Sequence, residues 1–420
     1  MPKQSLLIIG AGASGLMAAS RLAEDFDITI LEAKDRTGGR IWTKNSPHTK
    51  LPIEAGAEFI HGHQPLTIDL LNKAGIPYTA VEGKMYALDN GQLVEETEQV
   101  PGWEELLHAM QQVKEDMSLQ DFLEQYFGGQ EHAALRQHTI GFAGGFDLAD
   151  PGRASVRALY EEWSNEEEDN FRIAGGYGAL INFLKEECER KGCHIVLNAP
   201  VRQVDWEKDT VTIYTEAGEK YFAGKLIITV PLAVLASSGS RYSINFTPPL
   251  REQEEALQQM GIGKVIKAVL VFKQTFWKKD AGFIFSNEAF PTWWTQLPDT
   301  APVITGWAGG AKAAALEEHS DDELLHVALA SLSGIFNIPV EELKNNLTHP
   351  DITNWQAEDP GLSGYSYDTL QTGEARKLLK NPVANTIYFC GEALYEGTAP
   401  GTVEAAMVSA KLLAEGILDE

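Results

Sequence analysis

Gly10, Gly12 and Gly15 are spaced as G-x-G-x-x-G, and Glu32 follows 22 residues after the first of them. The glycines come directly after the apolar run Leu6-Leu7-Ile8-Ile9 and open a stretch with Leu16, Ala19, Leu22 and Ala23 at helical spacing. A strand that feeds a glycine turn and then a helix presents backbone N–H groups and the positive end of a helix dipole to a pyrophosphate. Contacts to such a group are therefore expected from Gly10, Gly12, Ala13, Ser14 and Gly15. Glu32 closes a second β run, Ile28-Thr29-Ile30-Leu31, where a carboxylate accepts the hydroxyls of an adenosine ribose and disfavours a 2′-phosphate. The chemistry implied is dinucleotide binding.

Other residues could act beside such a group. Gly38-Gly39-Arg40 places a guanidinium, able to fork across phosphate oxygens, next to two residues that let backbone approach closely; a surface ion pair is the alternative role for Arg40. Lys267 lies inside Val265-Ile266-Lys267-Ala268-Val269-Leu270-Val271-Phe272. Strand alternation would turn it to solvent, whereas burial would demand a partner; Lys264 is the nearby rival, expected to be exposed. His61 and His63 form a His-x-His without further ligands close by, so no metal site is expected. The acidic run Glu166-Glu167-Glu168-Asp169, with Glu161 and Glu162 upstream, reads either as a solvated loop or as an attractor for a polycation. Trp293, Trp294 and Trp355 could line a pocket or pack a core.

The elements that must position these groups follow from period and composition. After the β-turn-α-β opening, residues 76–174 are rich in Glu and Gln, with helical runs around Trp103 to Val113, Leu119 to Tyr126 and His132 to Gly141. A helix over Ala179 to Arg190 leads into β runs at His194 to Leu197, Val211 to Thr215 and Leu226 to Val230. Residues 265–272 and 282–309 suggest a second sheet, followed by a helix from Asp321 to Phe336 with a capping-type start at Ser320. The chain of 420 residues is 44% hydrophobic and 22% charged, an ordinary globular composition. Its 34 Lys and Arg against 60 Asp and Glu give a net charge of -26, which argues against nucleic acid and anionic membrane as partners. Three cysteines, Cys188, Cys193 and Cys390, are too few for a disulfide framework and point to a reducing, cytoplasmic setting. The apolar start is interrupted by glycines, unlike a secretory leader, and no run reaches the roughly 18 to 20 apolar residues of a membrane span.

The order of motifs resembles that of the flavin-containing amine oxidases, the group of monoamine and polyamine oxidases. The resemblance rests on Glu32-Ala33-Lys34-Asp35-Arg36-Thr37-Gly38-Gly39-Arg40, on Pro52 to Gly62, on Gly175 to Leu184, and on Val230-Pro231-Leu232. Val265-Ile266-Lys267, Gly364-Tyr365-Ser366-Tyr367, Phe389-Cys390-Gly391-Glu392 and Gly401-Thr402-Val403 complete it. It implies an α/β fold: a Rossmann-type FAD-binding domain with a second α+β substrate domain of mixed sheet plus helices, as in p-hydroxybenzoate hydroxylase and the amine oxidases. The expected FAD-binding domain comprises 1–75, 175–250 and 376–420, and the substrate-binding domain 76–174 and 251–375.

The same resemblance implies roles for residues. FAD would contact Gly39 and Arg40 at the pyrophosphate, Gly56 and Ala57 along the flat ring, Val201 at adenine, and Gly391 and Glu392 at the ribityl chain. The helix that starts near Thr402 and Val403 would direct its positive end at the ring. Lys267 would hold a water beside flavin N5, Tyr365 would stand upright against the ring, and His61 would orient the amine as in polyamine oxidases. Gly364 replaces the cysteine that links flavin covalently in monoamine oxidases, so FAD is expected to be noncovalent; Thr402 stands where the facing aromatic of their cage would be. The implied reaction is oxidation of a primary or secondary amine, polyamines included, to an imine, with O2 reduced to H2O2. The alternatives are a desaturase or porphyrinogen oxidase type enzyme, or a non-catalytic flavin-binding redox module. The partners are then a small-molecule amine and O2, and nothing in the sequence fixes an oligomeric state.

Overall fold

The apolar run after Lys3 forms Gln4–Ile9, the central strand of a five-stranded parallel sheet. The sheet order is His194–Val196, Phe26–Leu31, Gln4–Ile9, Lys225–Ile228, Ile387–Phe389. Every neighbouring pair is parallel. This computed structural model describes residues 3–96, 100–165, 169–237, 240–358 and 362–419. Parallel strands are covered on both faces, which is why these segments read as continuous apolar runs. Leu6 and Ile8 face the helices Ala13–Leu22, Tyr177–Arg190 and Val403–Leu418. Leu7 and Ile9 face Val201, Val204, Val211 and Ile213 of a second, four-stranded sheet. Strand alternation thus distributes one apolar run between two cores.

A seven-stranded mixed sheet forms the other half. Its order is Leu347–Asn354, Val265–Phe272, Val303–Gly309, Thr292–Trp294, Ala281–Phe285, Lys84–Asp89, Gln92–Glu95. Val265–Phe272 pairs antiparallel on both sides, and all eight of its residues are buried. The helix Asp321–Phe336 starts at the expected capping box of Ser320 and Glu323 and lays Leu324, Ala328, Leu329 and Leu332 on this sheet. The helices Trp103–Gln111, Leu119–Phe127, Ala133–Gly145 and Val156–Trp163 share a separate core with Leu106, Phe122, Leu135 and Leu159.

Two elements differ from the sequence expectation. The stretch 76–174, read as helical, also contains the hairpin Lys84–Asp89 with Gln92–Glu95, which extends the seven-stranded sheet. Its turn is Asn90-Gly91, both with positive φ, the conformation that matches the twist of paired strands. The same stretch supplies Tyr78–Ala80 and Asn170–Ile173, which pair with Phe59–His61 in a three-stranded sheet. The helix expected from Ala179 begins at Tyr177, because Glu54 accepts from the Tyr177 N–H and Thr43 from that of Gly178 at its first turn.

Trp293 is fully buried against Gly306, where an added Cβ would lie 2.6 Å from the indole ring, and its Nε1 donates to the Phe290 carbonyl. Trp293→Ala should destabilise the protein by about 3–5 kcal/mol. The expected result is a clear fall in the urea midpoint; an unchanged midpoint would show that this ring does not anchor the sheet.

Candidate active site

The glycine turn is built by close approach of backbone. Gly10 adopts φ 106°, and a Cβ at Gly15 would sit 2.0 Å from the Gly10 carbonyl oxygen, so the helix rests directly on the strand. Ala13, Ser14 and Gly15 form its buried first turn. The Gly38 N–H donates to the Ala11 carbonyl at 2.8 Å and brings residues 36–42 over the turn. Arg36 fastens that loop by donating to the carbonyls of Thr37, Gly39 and Ile41 and by stacking 4.6 Å from the Trp42 ring. Glu32 is buried and accepts from the Ala11 N–H at 2.8 Å and the Lys34 N–H at 3.0 Å. Burial pushes its carboxyl above the ordinary value, against those two donors and the charges of Arg36 and Lys34. The Glu32 carbonyl holds Ala199, which leads into the strand Val201–Glu207, so Val201 is buried beside it.

Distant segments close the groove. Arg40 donates from Nη1 to the Gly364 carbonyl at 2.6 Å and to Glu392 at 3.0 Å. Glu392 also accepts from the Ser366 hydroxyl at 2.6 Å. The expected phosphate-facing arginine is thus tied to the expected ribityl-facing carboxylate. Arg40, Thr229, Val230, Cys390, Gly391 and Glu392 line one groove. Ser14 donates to Cys390 Sγ at 3.2 Å, joining the first helix to the end of the last strand. Thr402 caps the helix Val403–Leu418 by accepting from the Ala405 N–H. Glu404, which sequence reasoning missed, accepts from the N–H groups of Leu66 and Thr67 and from the Thr67 hydroxyl. A Cβ at Gly401 would lie 2.7 Å from the Tyr365 ring, so that ring packs against the backbone leading into the helix.

Lys267 is 1% exposed, which removes the solvent-facing reading of its strand. Its Nζ donates to the Gly56 carbonyl at 3.1 Å and to Glu58 Oε2 at 2.7 Å, and lies 5.2 Å from the Trp294 ring centre. Glu58 Oε1 accepts from Trp294 Nε1 at 2.9 Å and Arg172 Nε at 3.2 Å. Burial pulls the Glu58 carboxyl up, but the charges of Lys267 and Arg172 outweigh it and hold the group below the ordinary value. Lys264, the rival, is partly exposed and pairs with Glu317. Gly56 admits no side chain, since a Cβ there would lie 1.8 Å from the Arg40 carbonyl oxygen; Ala57 follows it half-buried.

His61 and Tyr365 meet at Phe146. His61 Nδ1 bonds Asn170 Oδ1 at 2.6 Å, and its ring stands edge to face with Phe59 and with Phe146 at 5.7 Å. Tyr365 donates its hydroxyl to the Phe146 carbonyl. Burial lowers the His61 pKa, favouring neutral imidazole. Burial and the carboxylates of Asp147, Glu162 and Glu392 raise Tyr365 well above its ordinary value. Phe59 contacts Trp294 at 5.4 Å, and Trp294 contacts Trp307 at 6.2 Å. One aromatic wall therefore runs from Lys267 through Trp294, Phe59 and His61 to Phe146 and Tyr365. Trp293 belongs to the core instead, and Trp355 is buried with Leu148 and Val265. Glu166 to Glu168 lie outside the described residues. Glu58 stood inside a quoted motif, but its partners Arg172 and Trp294 lie more than a hundred residues away and no local pattern announces them.

Comparison with known proteins shows the family of the chain and its fold. The family model described as flavin containing amine oxidoreductase matches residues 13–418. Polyamine oxidase 2 of Arabidopsis thaliana is 26% identical, over 98% of this chain and 87% of its own length. Lysine-specific histone demethylase 2 of Homo sapiens is 27% identical over 97% of this chain, which spans about half (52%) of that protein. Among solved structures, putrescine oxidase bound to putrescine superposes with a TM-score of 0.82 at 22% identity, covering 100% of this chain and 99% of its own. Cyclohexylamine oxidase from Brevibacterium oxydans IH-35A gives 0.80 at 20% identity, with 100% of both chains covered.

Glu54, four residues before Glu58, is buried, and burial pushes its carboxyl up to about 7 despite the Thr43 hydroxyl, the Lys267 charge and the Tyr177 N–H. A carboxyl raised in the folded state stabilises the fold fully below the ordinary glutamate range and loses that contribution as pH rises through about 7. Wild type should therefore lose on the order of 2–3 kcal/mol relative to Glu54→Gln between pH 5 and pH 8. Paired urea unfolding curves at the two pH values measure this; a difference independent of pH would refute it.

Proposed function

Because the chain belongs to the flavin-containing amine oxidoreductases, we propose that it binds FAD noncovalently and oxidises a primary or secondary amine to an imine, with polyamines the first candidates. The observation that carries this reading is the single wall in which a fully buried lysine, Lys267, is joined through Trp294 and Phe59 to His61 and through Phe146 to Tyr365. The residues present fit a flavin dinucleotide. The turn at Gly10 and Gly15 and the Gly56 backbone are cradles that a Cβ would fill, Glu32 suits a ribose, and Arg40 and Glu392 converge on the groove. FAD, when bound, accepts the hydride from the carbon next to nitrogen and passes the electrons to O2, giving H2O2.

The chain's own residues supply the setting. With Nδ1 engaged by Asn170 and the imidazole held neutral by burial, His61 can accept a hydrogen bond from an incoming amine at Nε2 and orient it. The neutral amine is the form whose lone pair supports loss of hydride. Phe59, Phe146, Trp294, Trp307 and Tyr365 exclude water around it. Lys267 places a fixed positive charge at the end of the wall, where it favours electron transfer to oxygen. The polyamine preference draws on the relatives, polyamine oxidase 2 and putrescine oxidase, and on His61. Noncovalent binding is supported by Gly364 at the position of the linking cysteine.

Anaerobic addition of putrescine, spermidine and simple monoamines to the yellow protein should bleach the 450 nm region with at least one of them. Failure of every amine would favour a desaturase-type enzyme or a redox module. Lys267→Met should keep its flavin yet slow reoxidation by O2 by about 100-fold; an unchanged rate would remove the role given to Lys267. Acid precipitation should release the colour into the supernatant, and colour retained by the polypeptide would refute noncovalent binding.

A further inference from the structure

We propose that Glu58 is a positioning residue for Lys267: its anchored carboxylate sets where the ammonium stands in the site and hence how fast the enzyme reacts with O2. This rests on the reading that Lys267 promotes that reaction. A lysine side chain has four rotatable bonds, and a strand fixes only its base. Within Val265–Phe272 the neighbours opposite Lys267 are Trp307 and Thr353, which pair with it through backbone. The groups that hold Nζ are the Gly56 carbonyl at 3.1 Å and Glu58 Oε2 at 2.7 Å. The charged, shorter contact is the stronger one.

Glu58 itself has little freedom. Its other oxygen takes N–H donors from two separate strands, Trp294 in Thr292–Trp294 and Arg172 in Asn170–Ile173. Arg172 is in turn fixed to the carbonyls of Thr295 at 2.8 Å and Leu297 at 3.0 Å and lies 4.7 Å from the Phe59 ring. The carboxylate is therefore a rigid post, and the flexible ammonium follows it. Simple compensation of buried charge would need only an anion nearby. A carboxylate with one oxygen pinned by two donors and the other turned to Nζ does more, because it also fixes distance.

The test uses the full FAD-loaded chain with Glu58→Gln, which keeps shape and drops charge, and Glu58→Asp, which keeps charge and withdraws the oxygens by one methylene. Both should slow reoxidation by O2 by about 10-fold or more, with anaerobic bleaching by amine changed less than about twofold. The flavin midpoint potential should rise in Glu58→Gln, since a negative charge beside the Gly56-Ala57 segment expected to hold the ring would be lost, and stay near wild type in Glu58→Asp. Glu58→Gln combined with Lys267→Met should be no slower than Lys267→Met alone. Should Glu58→Gln fail to fold, Glu58→Asp alone decides the positional claim. Wild-type reoxidation in Glu58→Asp, with Lys267→Met slow, would overturn the proposal and leave the role of Lys267 standing. A double variant slower by the full Glu58→Gln factor would overturn it too. Wild-type reoxidation in Lys267→Met would remove both.

Discussion

An ammonium inside a closed sheet must be compensated, and much of this molecule is arranged around that demand. Lys267 occupies a strand in which every residue is buried. Leaving it unpaired costs far more than a buried polar group normally does. Its compensation is Glu58, which drags the segment of residues 54–61 against the seven-stranded sheet, and the Gly56 carbonyl, which brings the same segment beside Arg40. Arg40 reaches across to Gly364 and Glu392, so the neighbourhood of one lysine is connected to the groove lined by Cys390, Gly391 and Glu392 through three further residues. A hydrophobic trio of similar volume would serve stability as well or better. The retention of charge here fits a functional use of the cation rather than a contribution to the fold.

The overall charge gives this interior a contrast. A chain with a net charge of -26 encloses a site in which Arg172 and Lys267 share the carboxylate of Glu58. The surplus is compatible with attraction of a cationic amine, but an acidic surface alone also serves solubility. The cations of this site are each held by a carboxylate with a side chain 6–7% exposed, Glu392 for Arg40 and Glu58 for both Lys267 and Arg172.

The parts of the fold written in local pattern were legible in the sequence. The glycine turn, Glu32, the strand Val265–Phe272 and the capped helix from Asp321 all follow from spacing, period or end signals. The orientation of Lys267 was not, because alternation distinguishes inside from outside only when one face of a sheet is wet, and this strand is covered on both. The hairpin at Asn90-Gly91 was hidden by the polar composition around it, although that dipeptide is itself a turn signal. Phe146 and Arg172 escaped for another reason. Each acts through contacts with residues 58 to 61, and pairings over such separations leave no trace in a single chain.

Glu54 and Glu58 show how far environment outweighs residue type. They lie four positions apart and both are buried, yet burial pushes one up to about 7 while two neighbouring cations hold the other below its ordinary value. At neutral pH Glu58 is therefore ionised and offsets one of the two cations it touches, while Glu54 is partly protonated. The interior around Lys267 keeps a residual positive charge. An ammonium substrate would be repelled from such a site, whereas a neutral amine would not. On the function proposed for Lys267, the charge that would assist electron transfer to oxygen would thus also select the neutral amine, and His61, kept neutral by burial, would meet that amine as a hydrogen-bond acceptor rather than as a second cation.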